Sequence, residues 1–298
     1  MENRILKSNG LLLLTAAIWG FAFVAQRVGM NYVGPFTFNA LRFALGSLTL
    51  LPVLIVTERN YPPTTLSRKA MILSCAITGG ILFMGATLQQ VGIIHTTAGK
   101  AGFITGLYVV MVPIFGLLLK QHADIGTWAG AILAAFGLYL LSVSEDFSIQ
   151  YGDLLVLMSA FFWTAHVLII GWLSPQMNPV KIAFIQFIIC AVLSFIVALF
   201  TEVIVMGRIF QAALPIIYSG ALSVGIAYTL QVVAQKNAHP THAAIILSME
   251  TVFAALGGWI VLNEILSPRE LSGCMLMLAG MILSQLWGYL RYLRQMRA

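Results

Sequence analysis

Charged residues are scarce in this chain: they make up 9% of its 298 residues, whereas 60% are hydrophobic. Soluble domains carry about 25% charged residues. A chain with so few charges cannot cover a globular surface with polar groups, and a lipid bilayer is the solvent that accepts it. The shortage therefore excludes a soluble domain and predicts an integral membrane protein.

Motifs of common enzymes are also missing. The sequence has no HExxH motif and no glycine-rich phosphate loop, so we predict neither a metalloprotease nor an ATP-driven pump. His239 and His242 stand three apart in HPTH without a nearby third ligand, so we expect no metal. Ser223, within GALSVG, has no evident partner base. The chain is therefore predicted not to be an enzyme and to need no cofactor.

Cysteine is rare as well, and its three positions all fall inside apolar runs, so no disulfide framework is predicted. The net charge of +6 comes from basic residues scattered one to three at a time between those runs. Nucleic-acid-binding proteins instead gather basic residues on one face or along one helix. We therefore expect no nucleic-acid partner. The cysteines are Cys75, Cys190 and Cys274.

Long apolar runs make up most of the chain. A helix that crosses the hydrocarbon core of a bilayer needs about 20 apolar residues. Ten runs of about this length, separated by short connections, fit into the sequence. We predict an all-α integral membrane protein with ten transmembrane helices near residues 10–30, 35–56, 70–93, 98–119, 125–143, 153–173, 179–201, 210–234, 241–263 and 269–289.

The basic residues between the predicted helices are unevenly distributed. If the N-terminus is cytoplasmic, 11 of the 16 Lys and Arg lie on the cytoplasmic side and four on the opposite side, with Arg42 inside a helix. Cytoplasmic loops of membrane proteins are enriched in Lys and Arg. With an even number of helices, both termini are then cytoplasmic. We expect a multi-pass protein of the bacterial inner (plasma) membrane.

The two halves of the chain resemble each other. A shift of 144 residues places LTAAIWG over MSAFFWT, and shifts of 142 and 143 align further segments in the same order. We therefore predict two repeats, residues 1–147 and 148–298, with five helices each. Because five is odd, the second repeat is inverted in the membrane, as in many secondary transporters. The aligned pairs are Trp19 with Trp163, Pro35 with Pro179, Arg42 with Gln186, Gln89 with Gln231, Gly130 with Gly273 and Gly137 with Gly280.

Four segments resemble the EamA type of the drug/metabolite transporter superfamily. They are TAAIWGFAFV, FNALRFALG, GKAGFITGLYVVMVPIFGLLL (99–119) and HAAIILSMETVFAALGGWIVLNEILSPRELSG (242–273), and the likeness covers nearly the whole chain. Thr251 stands where many relatives have proline. The resemblance implies a ten-helix fold, a central cavity lined mainly by helices other than the fifth and tenth, and transport of small metabolites, often outward.

Two charged residues fall well inside predicted helices, where a charge is costly. Glu250 is the acid nearest the middle of a helix, and a carboxylate there either binds a proton or pairs with a cation. It is the candidate coupling group, or a contact for a substrate ammonium. Arg42 can bind a carboxylate or phosphate through two hydrogen bonds. For Glu250 the alternatives are a structural ion pair or a hydrogen bond between helices. For Arg42 they are a pair with Glu250 or bonds to helix-end carbonyls.

Neutral polar and aromatic side chains lie near the middle of several predicted helices. Such a set suits a cavity for a small amphipathic solute, with rings that stack on it. Each residue could instead make one hydrogen bond between helices or pack in the core. Because several recur at equivalent places in both halves, we predict that the set lines the substrate site. Together with Arg42 and Glu250 it comprises Trp19, Asn39, Gln89, Thr105, Tyr108, Trp163, His166, Gln186, Tyr228 and Gln231.

Two further residues of the fourth predicted helix have expected roles. Lys100 lies near its outer end, where a side chain that extends to the membrane surface is the simpler interpretation. A position at the mouth of the cavity is the alternative. Pro113 removes a backbone hydrogen bond in mid-helix, and we predict a hinge there.

These features predict a secondary transporter for a small organic metabolite, an amino acid or a related amine or carboxylate. An internal acid, an internal Arg and several aromatic rings match the two charges and the side chain of a zwitterion. We expect an exporter that works by alternating access, with protons as the candidate coupling ion. A lipophilic-cation (multidrug) exporter is the alternative. A passive channel or membrane sensor is less well supported, because the halves are unequal and no soluble output domain is evident. The sequence leaves monomer and homodimer open.

Overall fold

The computed structural model describes residues 2–59, 64, 66–117, 125–143, 149–235 and 246–297. Within these ranges the chain is helical, apart from connecting turns and an antiparallel bridge between Val143 and Ile149. Helices are expected for long apolar sequences in lipid, where backbone polar groups must bond to one another. The predicted repeat boundary at 147/148 and the HPTH segment lie outside the described residues.

Eight helical stretches among the described residues are long and apolar enough to cross a bilayer. A shorter apolar helix spans Ile246–Leu262, and a helix of 30 residues follows at Pro268–Arg297. The chain is therefore a multi-pass membrane protein, whereas ten crossings stay a prediction. The helices are α1 (Glu2–Gly29), α2 (Pro35–Glu58), α3 (Arg68–Gly92), α4 (Ala98–Gly106), α5 (Tyr108–Gly116), α6 (Ile125–Ser142), α7 (Tyr151–Leu173), α8 (Pro179–Thr201), α9 (Met206–Gln211), α10 (Ala213–Ile217), a π-helical segment (Tyr218–Ala227), α11 (Tyr228–Gln235), α12 (Glu250–Leu262) and α13 (Pro268–Arg297).

Short polar side chains and proline set the starts of several helices. Asn178 Oδ1 accepts a hydrogen bond from Val180 N at 3.0 Å, and Thr97 Oγ1 accepts one from Lys100 N at 3.1 Å. These bonds satisfy amide groups that have no partner inside the helix. Pro179, in the first turn of α8, has no amide hydrogen to leave unpaired.

The fourth predicted helix tightens by one turn at Leu107, where α4 ends and α5 begins; Leu107 keeps right-handed helical dihedral angles (φ −56°, ψ −24°), so this interruption lies within a continuous helical stretch, Ala98–Gly116. The Leu107 amide bonds to Ile104 O, three residues back, at 3.2 Å. The helix that leads into α12 is interrupted similarly at Met249, whose amide bonds to Ile246 O at 3.1 Å. Leu107 and Met249 are 142 residues apart, one of the offsets that align the halves. The interruption comes six residues before Pro113, which lies inside α5, and the hinge at Pro113 stays a prediction.

Helices α2 and α8 lie side by side in opposite directions. The Glu202 carboxylate, just after α8, accepts a hydrogen bond from Phe36 N in the first turn of α2 at 2.8 Å. Glu58, the last residue of α2, forms an ion pair of 2.5 Å with Lys181 in the first turn of α8. Glu58 and Glu202 are 144 residues apart, so aligned residues of the two halves each bind to the start of the other helix. Reciprocal contacts of this kind arise where two repeats are related by a two-fold axis.

Glycines allow α6 and α13 to approach closely. A Cβ at Gly137 would lie 2.6 Å from Gly273 O, and a Cβ at Gly130 would lie 2.5 Å from Gly280 O. Backbone atoms fill this space, so a larger residue cannot be accommodated by rotating a neighbouring side chain. Helices in lipid associate through such close packing of small residues. Because Gly130 is aligned with Gly273 and Gly137 with Gly280, the two contacts correspond to each other when the halves are exchanged.

Replacement of Gly137 with valine is therefore expected to destabilise the detergent-solubilised protein by about 1–3 kcal/mol, the usual cost of overpacking. Gly171→Val is the matched control, because a Cβ there would meet nothing within 4 Å. Thermal unfolding of the purified variants measures the difference. Equal melting temperatures for the two variants would contradict the close packing of α6 on α13.

Candidate functional site

The two helix interruptions bring Tyr108 and Glu250 together. Tyr108 is the first residue of α5, Glu250 is the first residue of α12, and the Tyr108 hydroxyl lies close to the Glu250 carboxyl group. Glu250 is 5% exposed. A Cβ at Gly20 would lie 2.6 Å from Glu250 O, which places this helix start beside the middle part of the candidate span Leu6–Gly29. A short tightened turn in the middle of a helix often marks a functional hinge.

A chain of hydrogen bonds joins α1, α3 and α7. Gln89 Nε2 donates to Gln26 Oε1 at 3.1 Å, and Trp163 Nε1 donates to Gln89 Oε1 at 2.9 Å. Both glutamines are buried, so these bonds satisfy polar groups that water does not reach. These hydrogen bonds hold the Trp163 ring in one orientation between the three helices.

A second polar pair links α7 to α8. His166 Nε2 lies 2.8 Å from Gln186 Oε1, and Gln186 is buried. The His166 ring meets the Trp163 ring edge-on, with 5.9 Å between the ring centroids. His166 and Gln186 are therefore already partnered within the protein.

Arg42 lies in α2 and is 5% exposed. Its guanidinium carbon lies 4.8 Å from the centre of the Phe43 ring. Among the residues that the structure describes, no carboxylate forms an ion pair with Arg42, and nothing accepts a hydrogen bond from its Nε. A cation–π contact contributes about 0.5–2 kcal/mol, less than the several kcal/mol that burial of a charge costs. Arg42 is thus a buried cation that the described part of the protein does not neutralise.

Asn39 lies one helical turn before Arg42 and is fully buried. Its Nδ2 donates to Ala86 O at 3.2 Å, whereas its Oδ1 has no hydrogen-bond partner in the described ranges. Residues three apart share a helix face. A free donor, Arg42 Nε, and a free acceptor, Asn39 Oδ1, therefore lie one turn apart on α2. Thr105, in α4, is likewise buried with an unpartnered hydroxyl.

Aromatic rings connect α2, α8 and α11. The Phe43 and Phe187 rings are 5.7 Å apart, and the Phe187 and Tyr228 rings are 5.9 Å apart. The Tyr228 hydroxyl donates to Pro179 O at 3.4 Å. Gln231 follows one turn after Tyr228 in α11. Phe43 and Phe187 are 144 residues apart, so aligned rings of the two halves meet each other.

Trp19 contacts the π-helical segment. Its Nε1 donates to Ser223 O at 3.1 Å, and the Tyr218 hydroxyl donates to Ile18 O at 3.2 Å. π-Helical geometry is rare overall, but where it occurs it often lies at a functional site. Trp163, which is aligned with Trp19, donates instead to a glutamine side chain, so the two tryptophans have different partners.

A model of the EamA-like transporter family matches the chain twice, over residues 6–143 and 150–286. The chain belongs to this family. An uncharacterized transporter of Archaeoglobus fulgidus is 35% identical over 277 residues, which are 92% of this chain and 84% of that protein. The uncharacterized transporter YoaV of Bacillus subtilis is 22% identical over 285 residues, which are 92% of this chain and 95% of YoaV. The EamA-type chain is therefore a membrane transporter, and its partner is a small-molecule substrate.

A crystal structure of another protein has the same fold. It superposes on 94% of this chain and 97% of its own length with a TM-score of 0.65 and 17% sequence identity. At that identity the likeness shows the helical architecture alone. Contacts between the predicted site residues and a substrate therefore stay predictions.

On this EamA-type fold the predicted site residues form two groups and one separate residue. The residues of the first group lie on α2, α3, α7, α8 and α11, and those of the second lie where α4 and α5 meet α12. An ion pair between Arg42 and Glu250, one of the alternatives, is not among the ion pairs of the described residues. The first group is Asn39, Arg42, Gln89, Trp163, His166, Gln186 and Tyr228, the second is Tyr108 and Glu250, and Trp19 lies between α1 and the π-helical segment. Gln231 follows Tyr228 by three residues, and Thr105 precedes Tyr108 by three.

Gln26 and Gln90 are buried polar residues that sequence patterns did not single out. Gln26 accepts from Gln89, and Gln90 Nε2 donates to Gln26 O at 3.3 Å. Gln26 lies seven residues after Trp19, which places both on one face of α1. This spacing was a usable signal, but the residue stands near the predicted end of the helix, where polar residues are common.

The prediction of a surface anchor was wrong for Lys100 of this EamA-type chain. Lys100 is 5% exposed, and its Nζ lies 2.6 Å from Glu270 Oε1 and 3.9 Å from Asp153 Oδ2. Asp153 also accepts a hydrogen bond from the Thr96 hydroxyl. The side chain turns inward because two carboxylates, at the starts of α7 and α13, neutralise its charge there. Lys100 therefore joins three helices.

Lys100→Met should leave two carboxylates without their cation. Removal of one partner of a buried ion pair costs roughly 3–5 kcal/mol. The matched control is Lys181→Met, because its pair with Glu58 is 34% and 43% exposed and exposed pairs contribute roughly 0–1 kcal/mol. Thermal unfolding is expected to show a much larger loss for Lys100→Met, and an equal loss in both variants would argue against a buried network.

A cavity of about 470 Å³ lies at the ends of α1 and α8, on the side predicted to be external. Its polar lining residues include Asn31, Tyr32, Thr37 and Arg208. Arg42 follows Thr37 by five residues in α2, which is about 7.5 Å along the helix. The cavity therefore lies less than two helical turns from Arg42.

The described residues contain no group of three His, Cys, Asp or Glu side chains that could hold a metal ion. His239 and His242 lie outside the described ranges. Cys75, Cys190 and Cys274 are buried and form no disulfide. In the described part of the chain, the candidate site is built from hydrogen-bonding groups, charges and aromatic rings.

Proposed function

We propose that this EamA-family chain is a secondary transporter that exports a small organic metabolite, an amino acid or a related amine or carboxylate, across a bacterial inner membrane. The observation that carries the proposal is the pair of helix interruptions at Leu107 and Met249, after which Tyr108 and Glu250 lie close together. A tightened turn in the middle of a helix often marks a functional hinge. Paired interruptions therefore support a central site shared by two halves.

The proposed mechanism is alternating access by two inverted five-helix repeats, residues 1–147 and 148–298, with ten crossings and both termini cytoplasmic. The reciprocal contacts of Glu58 and Glu202 support it. Two halves with equivalent contacts can exchange conformations, which closes the site to one side and opens it to the other. The interrupted fourth helix, with Pro113, is the proposed hinge.

In the proposed site, Arg42 binds an anionic group of the substrate. A buried cation without a neutralising partner is costly, so an anionic ligand gains interaction energy there. The Phe43, Phe187 and Tyr228 rings supply flat apolar surfaces for the rest of the solute. Because Arg42 repels cations, this arrangement favours an amino acid or carboxylate over a lipophilic cation.

Glu250 is the proposed coupling group. Its neutral and charged forms differ greatly in free energy when buried in a membrane. A proton that binds more strongly in one conformation shifts the population toward that conformation. The Tyr108 hydroxyl, on the corresponding helix of the other half, lies close to the Glu250 carboxyl group, so a change of protonation acts on the contact between the halves.

Flux into sealed proteoliposomes with an imposed pH gradient tests the proposed function. The expected result is saturable uptake of an amino acid or carboxylate whose rate depends on the gradient. Flux that rises linearly with concentration and ignores the gradient would contradict a carrier and favour a channel.

A further inference from the structure

Arg42 and Gln186 occupy aligned positions in the two halves but differ in their partners. Gln186 is 2.8 Å from His166 across the gap between α7 and α8. The residue aligned with His166 by the same 144-residue offset is Ala22 in α1. Ala22 is buried and has only a methyl group. Arg42 therefore lacks the partner that its counterpart in the second half has.

The alignment of these positions is supported on both helices of each half. His166 and Ala22 each stand three residues after the aligned tryptophans, Trp163 and Trp19. On the other helix, Arg42 and Gln186 each directly precede a phenylalanine, and those two rings contact each other. The imidazole of His166 in one half thus corresponds, under the 144-residue offset, to the Ala22 methyl group in the other.

The geometry points to an anion subsite between Ala22 of α1 and Arg42 of α2, in the space that corresponds to the His166 imidazole. The inference rests on the proposed function and specifies its substrate as a solute with a carboxylate. Arg42 Nε, buried and unpartnered, donates to that carboxylate. The substrate carboxylate is thus the proposed partner of Arg42, as His166 is the partner of Gln186 in the second half.

Asn39 extends the subsite to a hydrogen-bond donor on the same solute. Its Oδ1 is buried and unpartnered one turn from Arg42, and groups one turn apart are about 5–6 Å from each other. The adjacent carboxylate and amino groups of an α-amino acid can reach both. The ammonium is then recognised by a neutral amide oxygen, while Glu250 keeps Tyr108 as its neighbour.

Ala22→Glu tests the subsite because it places a carboxylate from the protein itself beside Arg42. The melting temperature of the ligand-free protein is expected to rise, since the buried cation gains a partner. Binding of carboxylates is expected to weaken at least tenfold, since the subsite is filled. Ala22→Gln has the same size without the charge, and its ligand-free melting temperature is expected to stay at or below that of the wild type.

A second variant covers the case in which Ala22→Glu fails to fold. The double variant Arg42→Gln with Ala22→His rebuilds, in the first half, the Gln–His pair that the second half already contains. It is expected to fold, to melt at or above the wild-type temperature without ligand, and to lose its response to carboxylates.

The probes are the proteinogenic amino acids, 4-methylpentanoate and 3-methylbutylamine, and the readout is the rise in melting temperature. Wild-type protein is expected to respond to at least one carboxylate and not to the amine. A response to the amine alone, no response to any carboxylate, or carboxylate binding by Ala22→Glu at wild-type strength would each overturn the subsite. Saturable wild-type flux that Ala22→Glu leaves unchanged would overturn the subsite and keep the proposed function, whereas non-saturable wild-type flux would overturn the proposed function itself.

Discussion

Arg42→Gln is expected to lower the uptake of an amino-acid or carboxylate substrate by about 30-fold or more at low substrate concentration. Loss of one partner of a buried charge pair costs roughly 2–5 kcal/mol, and each 1.4 kcal/mol is about a factor of ten. The ligand-free variant should also melt at a higher temperature, because a buried cation with no ion pair among the described residues is removed. Uptake and thermal unfolding are measured on the same preparation.

Lys69→Gln is the control for Arg42→Gln. It removes one positive charge at the exposed start of α3, and uptake is expected to stay within about twofold of wild type, since exposed charges contribute little. Amino-acid uptake by Arg42→Gln at the wild-type rate would reject Arg42 as a substrate contact. A lipophilic cation that the wild type carries and Arg42→Gln carries faster would instead support the multidrug alternative.

Glu250→Gln is expected to abolish accumulation of solute driven by a pH gradient, while exchange of solute for solute persists. The amide keeps the size of the carboxyl group and an acceptor oxygen near the Tyr108 hydroxyl, but it does not bind and release a proton. Accumulation and exchange are compared in proteoliposomes that contain equal amounts of protein.

The matched control is Glu58→Gln, which changes an acid in an exposed ion pair. Gradient-driven accumulation is expected to survive there, because a surface pair contributes little. If Glu250→Gln accumulates solute as the wild type does, the coupling role belongs to another group. If it loses exchange as well, Glu250 acts in the transport cycle rather than in coupling alone.

The membrane class and the family were predictable from features that are local in sequence. Scarce charge and long apolar runs indicate that a chain lies in a lipid bilayer, and both can be recognised before its tertiary structure is known. The repeat was visible in sequence because pairs such as Trp19 with Trp163 and Pro35 with Pro179 keep a near-constant offset, and the family model matches the chain twice. Trp163 and Gln89, both predicted for the site, meet in one hydrogen bond.

Features that depend on distant residues were not predictable in the same way. Lys100 turns inward because Asp153 and Glu270 arrive from helices far along the chain. The fourth helix is interrupted at Leu107 rather than at Pro113, the residue whose chemistry signals a break. Leu107 itself carries no such signal, and its interruption is recognisable only beside the matching one at Met249.

The most direct test of alternating access is counterflow in proteoliposomes without any ion gradient. Vesicles are loaded with a high concentration of unlabelled substrate and diluted into a trace of the labelled form. Because a carrier exposes its site to one side at a time, the account predicts that labelled solute transiently accumulates above its external concentration and then declines. Labelled solute that only equilibrates, with no overshoot at any loading concentration, would contradict the account.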